Sequence, residues 1–412
     1  MNSRERVLSA INHKEPDKVP IDFGGHRSSG IFAIAYARLK KALGISAGNI
    51  YVYDMVQQLA IVEPEVLDNF GVDVIEMGRG FMLDDREWKD WNLPDGTVCK
   101  IPYYVNIEKR GADSYLVSDE GIDLAIQKEG FVLFEQIHWP WAERDIREQD
   151  FSDIGEAFND AVWTRIPTPG GHIPLTADGL TKISSGVREL RETTDRAIVG
   201  LFGGNLFEVP QYLYGMEKYL TFMASYPDDC IRLSEALCEL YIRNLEKWLG
   251  AVGPYIDVIL FGDDYGGQNG PLISPHMYRT YYKSYHKKMW KRVKELAPHV
   301  KINLHSCGGI EPLLDDLIDA GLEMTNPVQI SCKGMDARHL KKTYGDRFTF
   351  WGGGCDTHRI LPYGTCDEVK RHVKEQVSIL APGGGFVFQQ VHNIMANVPA
   401  ENIIAMFEAV RE

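Results

Sequence analysis

The stretch Lys301-Ile-Asn-Leu-His-Ser-Cys-Gly-Gly309 joins a short apolar run to a histidine, a cysteine and two glycines. Side chains two residues apart on a strand point the same way, so the pattern predicts that His305 and Cys307 aim a nitrogen and a sulfur at one point. A second thiol, Cys355, follows an apolar strand and glycines in Trp351-Gly-Gly-Gly-Cys-Asp356. One histidine and two cysteines leave one position open on a tetrahedral zinc, as a catalytic zinc requires. The residues therefore predict a zinc enzyme that activates a substrate atom at the open position.

The order of strands and helices around this stretch favours an α/β fold of the (β/α)8, or TIM, barrel type. Most of the candidate strands are followed by a helix, which fits a barrel better than an open doubly wound sheet. We expect a short helix near residues 3–13 to close one end, and Ser274-Pro275 predicts the start of one long helix through Leu296. No Gly-x-Gly-x-x-Gly motif opens the first unit, which argues against a dinucleotide site. The candidate strands span residues 18–23, 72–77, 197–202, 256–261, 299–304, 323–326, 348–351 and 385–390.

The composition changes between about residues 80 and 170. This part is rich in Trp, Tyr, Asp and Gly and has short alternating pieces such as Ser114-Tyr-Leu-Val-Ser118, which predict a small antiparallel excursion rather than βα units. We therefore expect residues 1–412 to form a single barrel domain with an aromatic-rich insertion at about 80–170, after the second strand. Its aromatic residues either form a small core of the insertion itself or cover the active site; they include Trp88, Trp91, Trp139 and Trp141.

Charge and cysteine content exclude several classes of function. The formal net charge of −14 argues against nucleic acid as the main partner, because phosphate binding needs a basic surface. No apolar run has the length needed to cross a bilayer. The N-terminus leads straight into an amphipathic helix, and the seven cysteines show no disulfide-framework spacing. These features predict a cytoplasmic protein without a membrane partner.

Polar residues cluster at the carboxyl ends of the predicted strands, where barrel enzymes carry their chemistry. Asp263 and Asp264 follow one such strand and are candidate catalytic carboxylates that orient the substrate or support the metal ligands. The alternative is that they cap a helix or hold a loop. Candidate substrate-binding residues lie at other strand ends or just beyond them: His26, Arg27, Asn205, Tyr265 and Gln329.

Segments along the whole chain, apart from the insertion, resemble the uroporphyrinogen decarboxylase superfamily. This resemblance implies a (β/α)8 barrel. The matching segments are Arg4-Glu-Arg-Val7, Pro16-Asp-Lys-Val-Pro20, Gly203-Gly-Asn205, Ile256-Asp-Val-Ile259, Asp263-Asp264, Ile273-Ser-Pro275, His305-Ser-Cys-Gly-Gly309, Asn326-Pro-Val-Gln329, Gly353-Gly-Cys-Asp356 and Pro399-Ala-Glu-Asn-Ile403.

The chain is more similar to the corrinoid-dependent, methylcobalamin:coenzyme M methyltransferase-like branch than to the true decarboxylases. Decarboxylases clamp tetrapyrrole carboxylates with arginines in an N-terminal loop, where this chain offers only Arg27. The methyltransferases bind zinc through a His-x-Cys pair, which His305 and Cys307 match, and through a later cysteine just after the last strand. At that place this chain has His392, whereas Cys355 lies one strand earlier. The resemblance thus leaves the third ligand open between Cys355 and His392, and it does not imply coenzyme M as the substrate.

The resemblance implies a zinc-dependent methyltransferase that moves a methyl group between a small molecule and a corrinoid. Zinc would deprotonate a thiol acceptor, or act as a Lewis acid on the heteroatom of a methylated substrate. The corrinoid (methylcobalamin) would be carried on a separate partner protein, and barrels of this superfamily often pair as homodimers. Two alternatives remain: a uroporphyrinogen-type decarboxylase (a carboxy-lyase) without metal, and a catalytically idle barrel that binds a ligand.

Overall fold

The structure is a computed structural model that describes residues 1–165 and 173–412. Its strands are β1 (Ile31–Phe32), β2 (Val52–Asp54), β3 (Leu59–Ala60), β4 (Val74–Glu76), β5 (Trp88–Asn92), β6 (Val98–Pro102), β7 (Asn106–Arg110), β8 (Asp113–Val117), β9 (Asp123–Gln127), β10 (Glu135–Gln136), β11 (Ala197–Gly203), β12 (Val258–Gly262), β13 (Gly266–Gly267), β14 (Gly270–Pro271), β15 (Lys301–His305), β16 (Met324–Asn326), β17 (Thr349–Trp351) and β18 (Phe386–Val387).

Helices occupy most of the chain between the strands. The α-helices are α1 (Ser3–Ile11), α2 (Ala33–Ala42), α3 (Pro64–Phe70), α4 (Ile154–Ala157), α5 (Val162–Arg165), α6 (Ala177–Thr193), α7 (Glu208–Tyr214), α8 (Met216–Ser225), α9 (Pro227–Val252), α10 (Pro275–Tyr281), α11 (Lys283–Leu296), α12 (Leu314–Ala320), α13 (Ala337–Tyr344), α14 (Ile360–Tyr363), α15 (Cys366–Leu380) and α16 (Ala400–Arg411). Short 3-10 helices span Arg27–Ser29, Met77–Gly80, Asp85–Glu87, Ile146–Glu148, Phe158–Asp160, Gly253–Tyr255 and Glu311–Leu313.

The central sheet is parallel and has the strand order β4-β11-β12-β15-β16-β17-β18. The segment around Ile21 joins its two edges. Ile21 forms a parallel bridge to Phe388, and its carbonyl oxygen accepts a hydrogen bond of 2.8 Å from the backbone N–H of Asp73. With this segment in the eighth position, the sheet closes as predicted into a (β/α)8 barrel.

Alternate residues of the barrel strands fill the interior. One buried cluster contains Val74, Ala197, Val199, Val258, Leu260, Met324, Trp351 and Val387, together with Val7 and Ile11 of α1. The intervening strand residues, such as Ile198, Ile259 and Ile302, belong to a second cluster shared with the surrounding helices. This alternation follows from the two-residue period of a strand. The predicted role of the N-terminal helix, to close one end of the barrel, is confirmed.

The insertion follows β4, the second barrel strand, and is antiparallel as predicted. β5 pairs with β6, and β7 to β10 form a four-stranded sheet. Trp88 and Trp141 are buried, and Trp141 packs on Phe151 and Tyr214. The predicted end of the insertion at about residue 170 lies outside the described residues. The single-domain arrangement over residues 1–412 stays a prediction.

The prediction of one long helix from Ser274 through Leu296 is wrong in one respect. Ser274 caps its start as expected by accepting a hydrogen bond from the backbone N–H of Met277, but the helix breaks at Tyr282 into α10 and α11. Tyr282 is fully buried, and its hydroxyl lies 2.9 Å from that of Tyr219. Helical periodicity alone does not reveal a contact of this kind with a distant helix.

The register of the sheet determines which strand ends meet. Gly262 on β12 pairs with His305 on β15, and His305 pairs with Asn326 on β16. The chain therefore brings Asp263, His305 and Asn326 to one rim of the barrel. None of the described helices combines the length and apolar character needed to cross a membrane.

Candidate metal centre at the carboxyl rim

Three side chains at the carboxyl rim present metal-binding atoms to one another. His305, Cys307 and His392 each offer one such atom, and these three atoms lie within 4.8 Å of one another. His305 Nε2 is 3.5 Å from Cys307 Sγ, and the two imidazole ring centres are 5.9 Å apart. His305 ends strand β15, and Cys307 follows two residues later, in the turn after the strand.

Glycines allow the turn that carries Cys307. Gly308 has a backbone φ of +84°, and a Cβ atom there would lie 2.2 Å from the carbonyl carbon of Gly266. A Cβ on Gly266 would in turn lie 2.5 Å from the carbonyl oxygen of Cys307. Both distances are far below van der Waals contact, so any larger residue would push the Cys307 turn away from β13.

Hydrogen bonds orient both imidazoles with Nε2 available. Asn326 Oδ1 lies 2.9 Å from His305 Nδ1, and Asn393 Oδ1 lies 2.7 Å from His392 Nδ1. Each amide oxygen accepts a hydrogen bond from the N–H at Nδ1, which leaves the lone pair on Nε2. Metal-binding histidines use this arrangement to set their tautomer and ring orientation. Burial lowers the pKa of both imidazoles, that of His392 to about 4, so both are neutral at pH 7, as a metal requires.

The Asn326 amide belongs to a longer buried chain of hydrogen bonds. Its Oδ1 also accepts from Ser28 Oγ at 2.8 Å, and Ser28 Oγ is 3.1 Å from His26 Nδ1. His26 Nε2 lies 3.1 Å from Asp22 Oδ2, which accepts a hydrogen bond from the Trp351 indole at 2.8 Å. The N-terminal segment that closes the barrel therefore also supports the His305 ring.

A cavity of about 610 Å³ opens beside the three donor atoms. Its volume is in the range of small-molecule sites. His305 and His392 line it together with Asp264, Glu208, Asn205, His26 and Arg27. The rest of the wall is largely aromatic and aliphatic, and Phe158 and Trp163 near the end of the insertion contribute to it. The four tryptophans singled out from the sequence, Trp88, Trp91, Trp139 and Trp141, are not part of this wall.

The two predicted catalytic aspartates have different surroundings. Asp263 is fully buried and accepts hydrogen bonds of 2.8–2.9 Å from the backbone N–H groups of Leu206, Phe207 and Glu208 and from the Tyr265 hydroxyl. It thus caps the start of α7, which is the alternative considered from the sequence. Asp264 lines the cavity; its Oδ1 accepts the Cys307 N–H at 2.8 Å and lies 3.5 Å from His305 Nε2. Only Asp264 is placed to affect the candidate ligands.

The predicted substrate-binding residues also differ in whether they line the cavity. His26, Arg27 and Asn205 line the cavity, and Arg27 Nε lies 3.1 Å from Asp54 Oδ2. Tyr265 lies behind Asp263 and is fully buried. Gln329 accepts the Gly308 N–H at 2.6 Å and so supports the turn next to Cys307. Tyr265 and Gln329 do not line the cavity.

Cys355 lies outside the group of three donors. Its side chain is fully buried, and its Sγ contacts the Asp356 carbonyl oxygen at 4.0 Å. Burial raises the pKa of its thiol, which keeps it protonated. Of the two candidates for a third ligand, the structure therefore brings His392, and not Cys355, to His305 and Cys307.

Glu208 is a site residue that the sequence analysis missed. It lies in the first turn of α7, lines the cavity, and accepts hydrogen bonds from Tyr212 (2.6 Å) and Asn205 (2.7 Å). Burial, with a further contribution from the Asp264 charge, raises the pKa of its carboxyl to about 7. Its position three residues after the strand-end Asn205 was its one sequence signal.

Comparison with known proteins identifies the family. A family model described as Uroporphyrinogen decarboxylase (URO-D) matches residues 172–412, which is more than half of the chain. A curated relative named methylcobamide:CoM methyltransferase MtaA, from Methanosarcina barkeri, is 30% identical over 157 residues, covering 37% of this chain and 41% of the relative. A uroporphyrinogen decarboxylase from Legionella pneumophila (strain Corby) is 24% identical over 157 residues, covering 38% of this chain and 41% of the relative.

These matches are partial. The chain spans less than half the length of either curated relative. The match to a solved structure of a glycoside hydrolase family 5 enzyme from Prevotella bryantii covers 58% of this chain and 78% of that one, with 9% identity and a TM-score of only 0.33. Both curated relatives are named as enzymes, and the family match covers the segments that carry His305, Cys307 and His392. The chain belongs to the uroporphyrinogen decarboxylase family.

Proposed function

We propose that this protein is a zinc-dependent methyltransferase that moves a methyl group between a small-molecule substrate and a corrinoid carried on a partner protein. The observation that carries the proposal is the convergence of His305, Cys307 and His392 beside a cavity that both histidines line. The similarity to a relative named as a methylcobamide methyltransferase supports the same reaction type.

The donor set fits zinc. Two imidazole nitrogens and one thiolate are typical zinc ligands, and three protein ligands leave a fourth position for substrate. Burial and the neighbouring Asp264 raise the pKa of the Cys307 thiol well above its usual range, so the thiol needs a cation to ionise at neutral pH. Asn326 and Asn393 hold the imidazoles in the tautomer that a metal uses.

The residues of the chain would hold the substrate in place and would not themselves carry the methyl group. Zinc, when bound, would act as a Lewis acid on the substrate heteroatom or would ionise a thiol acceptor. Asp264 holds the Cys307 turn through the backbone N–H, and the apolar wall of the cavity excludes water from the reacting end. Because the cavity has the size of a small-ligand pocket, we expect the larger corrinoid to approach from its mouth.

The decarboxylase alternative has one observation in its favour, which is the name shared by the family model and the Legionella relative. The lining of the cavity argues against it. Among the described residues of that lining, Arg27 is the one arginine, and its guanidinium is already next to Asp54. A substrate with several carboxylates would lack the cations that bind it. Turnover of a carboxylated tetrapyrrole by the metal-free protein would decide for the decarboxylase.

The choice between His392 and Cys355 gives a direct test of the third ligand. We expect His392→Ala to reduce bound zinc from about one ion per chain and to weaken zinc affinity by at least about 100-fold, more than the loss of a supporting residue. Cys355→Ala should retain the metal, because its thiol is outside the donor group. Elemental analysis and competition with a chromogenic chelator measure both quantities.

Folding of the two variants is checked by circular dichroism before the metal is measured. Zinc loss in Cys355→Ala together with full retention in His392→Ala would reverse the ligand assignment. Absence of zinc from the wild-type protein, purified without chelators and then offered one equivalent of zinc, would contradict the proposed function itself.

A further inference from the structure

The cavity beside the donor atoms has a wall built mainly of aromatic rings. These come from the end of the insertion, from β11 and β12, and from helices α7 and α9: Phe158, Trp163, Phe202, Tyr212, Tyr241, Trp248 and Phe261. Aliphatic side chains fill much of the remaining wall. A wall of this composition favours a substrate with a flat, apolar body.

Five of these rings form one connected group, and Trp163 and Tyr212 form a separate pair. Phe202 is at the centre of the group, with ring-centre distances of 5.5 Å to Phe261, 5.7 Å to Trp248 and 6.4 Å to Tyr241. Tyr241 stacks with Phe158 at 6.4 Å. These are offset and edge-to-face arrangements, so a further ring placed in the cavity can make the same kinds of contact.

The polar groups lie together and include a carboxyl that can donate a proton. Glu208 and Asp264 line the same cavity as His305 and His392. Glu208 is buried, with Asn205 and Tyr212 hydrogen-bonded to its two oxygens. Its pKa, raised to about 7, leaves a substantial part of it protonated at neutral pH. A buried acid in the same cavity as the two histidines is useful for a leaving group that departs as an anion.

We propose that the substrate is an aromatic methyl ether, with its ring against the aromatic wall and its ether oxygen toward the three metal-binding side chains and Glu208. This inference rests on the proposed function, since it names the substrate of that reaction. Quaternary ammonium and sulfonium substrates release a neutral amine or sulfide, and such leaving groups need no acid. A phenolic oxygen departs as a basic anion, because phenols have pKa values near 10, and it needs a Lewis acid or a proton.

The bond between the methyl carbon and the ether oxygen breaks, and its electron pair stays on the oxygen. The methyl carbon bonds to the reduced corrinoid of the partner protein, which supplies the electron pair of the new bond. The oxygen takes the proton of the Glu208 carboxyl, the phenol leaves, and Glu208 regains a proton from solvent.

Quaternary ammonium compounds are the competing substrate class, because aromatic cages with carboxylates also bind cations. The observations favour the ether for two reasons. A cavity of about 610 Å³ is large for a small ammonium ion. Demethylation of a quaternary ammonium substrate would also release a neutral amine, which needs no proton from Glu208.

The binding test uses the zinc-loaded protein and two probes, 4-methoxyphenol and choline, measured by titration calorimetry without any corrinoid. We expect 4-methoxyphenol to bind and choline not to bind. Trp163→Leu should weaken binding of 4-methoxyphenol by about tenfold, since it removes a wall ring that packs on Tyr212. Trp139→Leu is the matched control, because Trp139 is 36% exposed, also belongs to the insertion and does not line the cavity.

The proton-transfer test uses free cob(I)alamin as methyl acceptor. Glu208→Gln should slow demethylation of 4-methoxyphenol by about 100-fold or more, with its dissociation constant little changed. Demethylation of 4-nitroanisole should be affected much less, because nitrophenolate is a stable anion that leaves without a proton. A merely structural role of Glu208 would slow both ethers equally and would overturn its assignment as proton donor.

The outcomes separate this inference from the proposed function. Binding of choline but not of 4-methoxyphenol by a zinc-containing, folded protein would overturn the substrate class and leave the methyltransferase proposal standing. Binding of neither probe would also overturn the substrate class. Tight binding of 4-methoxyphenol with no methyl transfer to cob(I)alamin from any ether would instead overturn the methyltransferase function.

Discussion

Replacement of Cys307 by alanine is expected to abolish stoichiometric zinc binding. The thiolate is the one sulfur among the three donor atoms that lie within 4.8 Å of one another, and two neutral imidazoles hold zinc far more weakly. We expect bound zinc to fall from about one ion per chain to near zero, with zinc affinity and methyl transfer each lowered by more than about 100-fold. Metal analysis of the purified variant and a chelator competition assay measure the effect.

Cys332→Ala is the matched control for this variant. Cys332 is buried in the same region, with its Sγ 3.5 Å from Gln329 Oε1, but it is not part of the donor group. Its removal should leave zinc content unchanged. If Cys307→Ala retained one tightly held zinc ion while remaining folded, the candidate metal centre would be wrong.

Replacement of Asp263 by alanine is expected to destabilise the fold by about 3–5 kcal/mol, because it leaves buried partners without an acceptor. Three backbone N–H groups at the start of α7 and the Tyr265 hydroxyl all donate to this carboxylate. The apparent free energy of unfolding in urea, followed by circular dichroism, measures the loss.

Asp264→Ala provides the comparison. Asp264 accepts one backbone N–H, from Cys307, so we expect a stability loss of about 1 kcal/mol together with a zinc affinity lowered by about 10- to 100-fold. The Asp263 variant, where it remains folded, should bind zinc normally. An Asp263→Ala protein that was as stable as the wild type but inactive would support the catalytic role predicted from the sequence instead.

The His305 and Cys307 pair illustrates what local periodicity can predict. A strand places residues two apart on one face, which predicted their convergence, although the strand ends at His305 and Cys307 lies in the turn after it. The glycines after Cys307 likewise indicate a local feature, a tight turn, because the chain there needs a positive φ and a close approach to Gly266. The repeated alternation of strands and helices predicted the barrel for the same reason.

Residues that meet across strands were harder to predict. Cys355 has the same local setting as Cys307, an apolar strand followed by glycines, yet its thiol is buried away from the donor group. Asp263 and Asp264 are adjacent in sequence, but one caps α7 and the other lines the cavity. Glu208 was not predicted as a site residue. Its raised pKa arises from burial and from the charge of Asp264, and no sequence motif indicates either.

The sequence by itself therefore determined the barrel, the insertion after the second strand and the first two candidate ligands, since each depends on short-range periodicity and turn chemistry. The tertiary structure decided that His392 lies beside those two residues, that Glu208 and the aromatic wall share one cavity with both histidines, and that Asp263 caps α7. Those features depend on strand register and helix packing, which bring together residues that are up to several hundred positions apart in the chain.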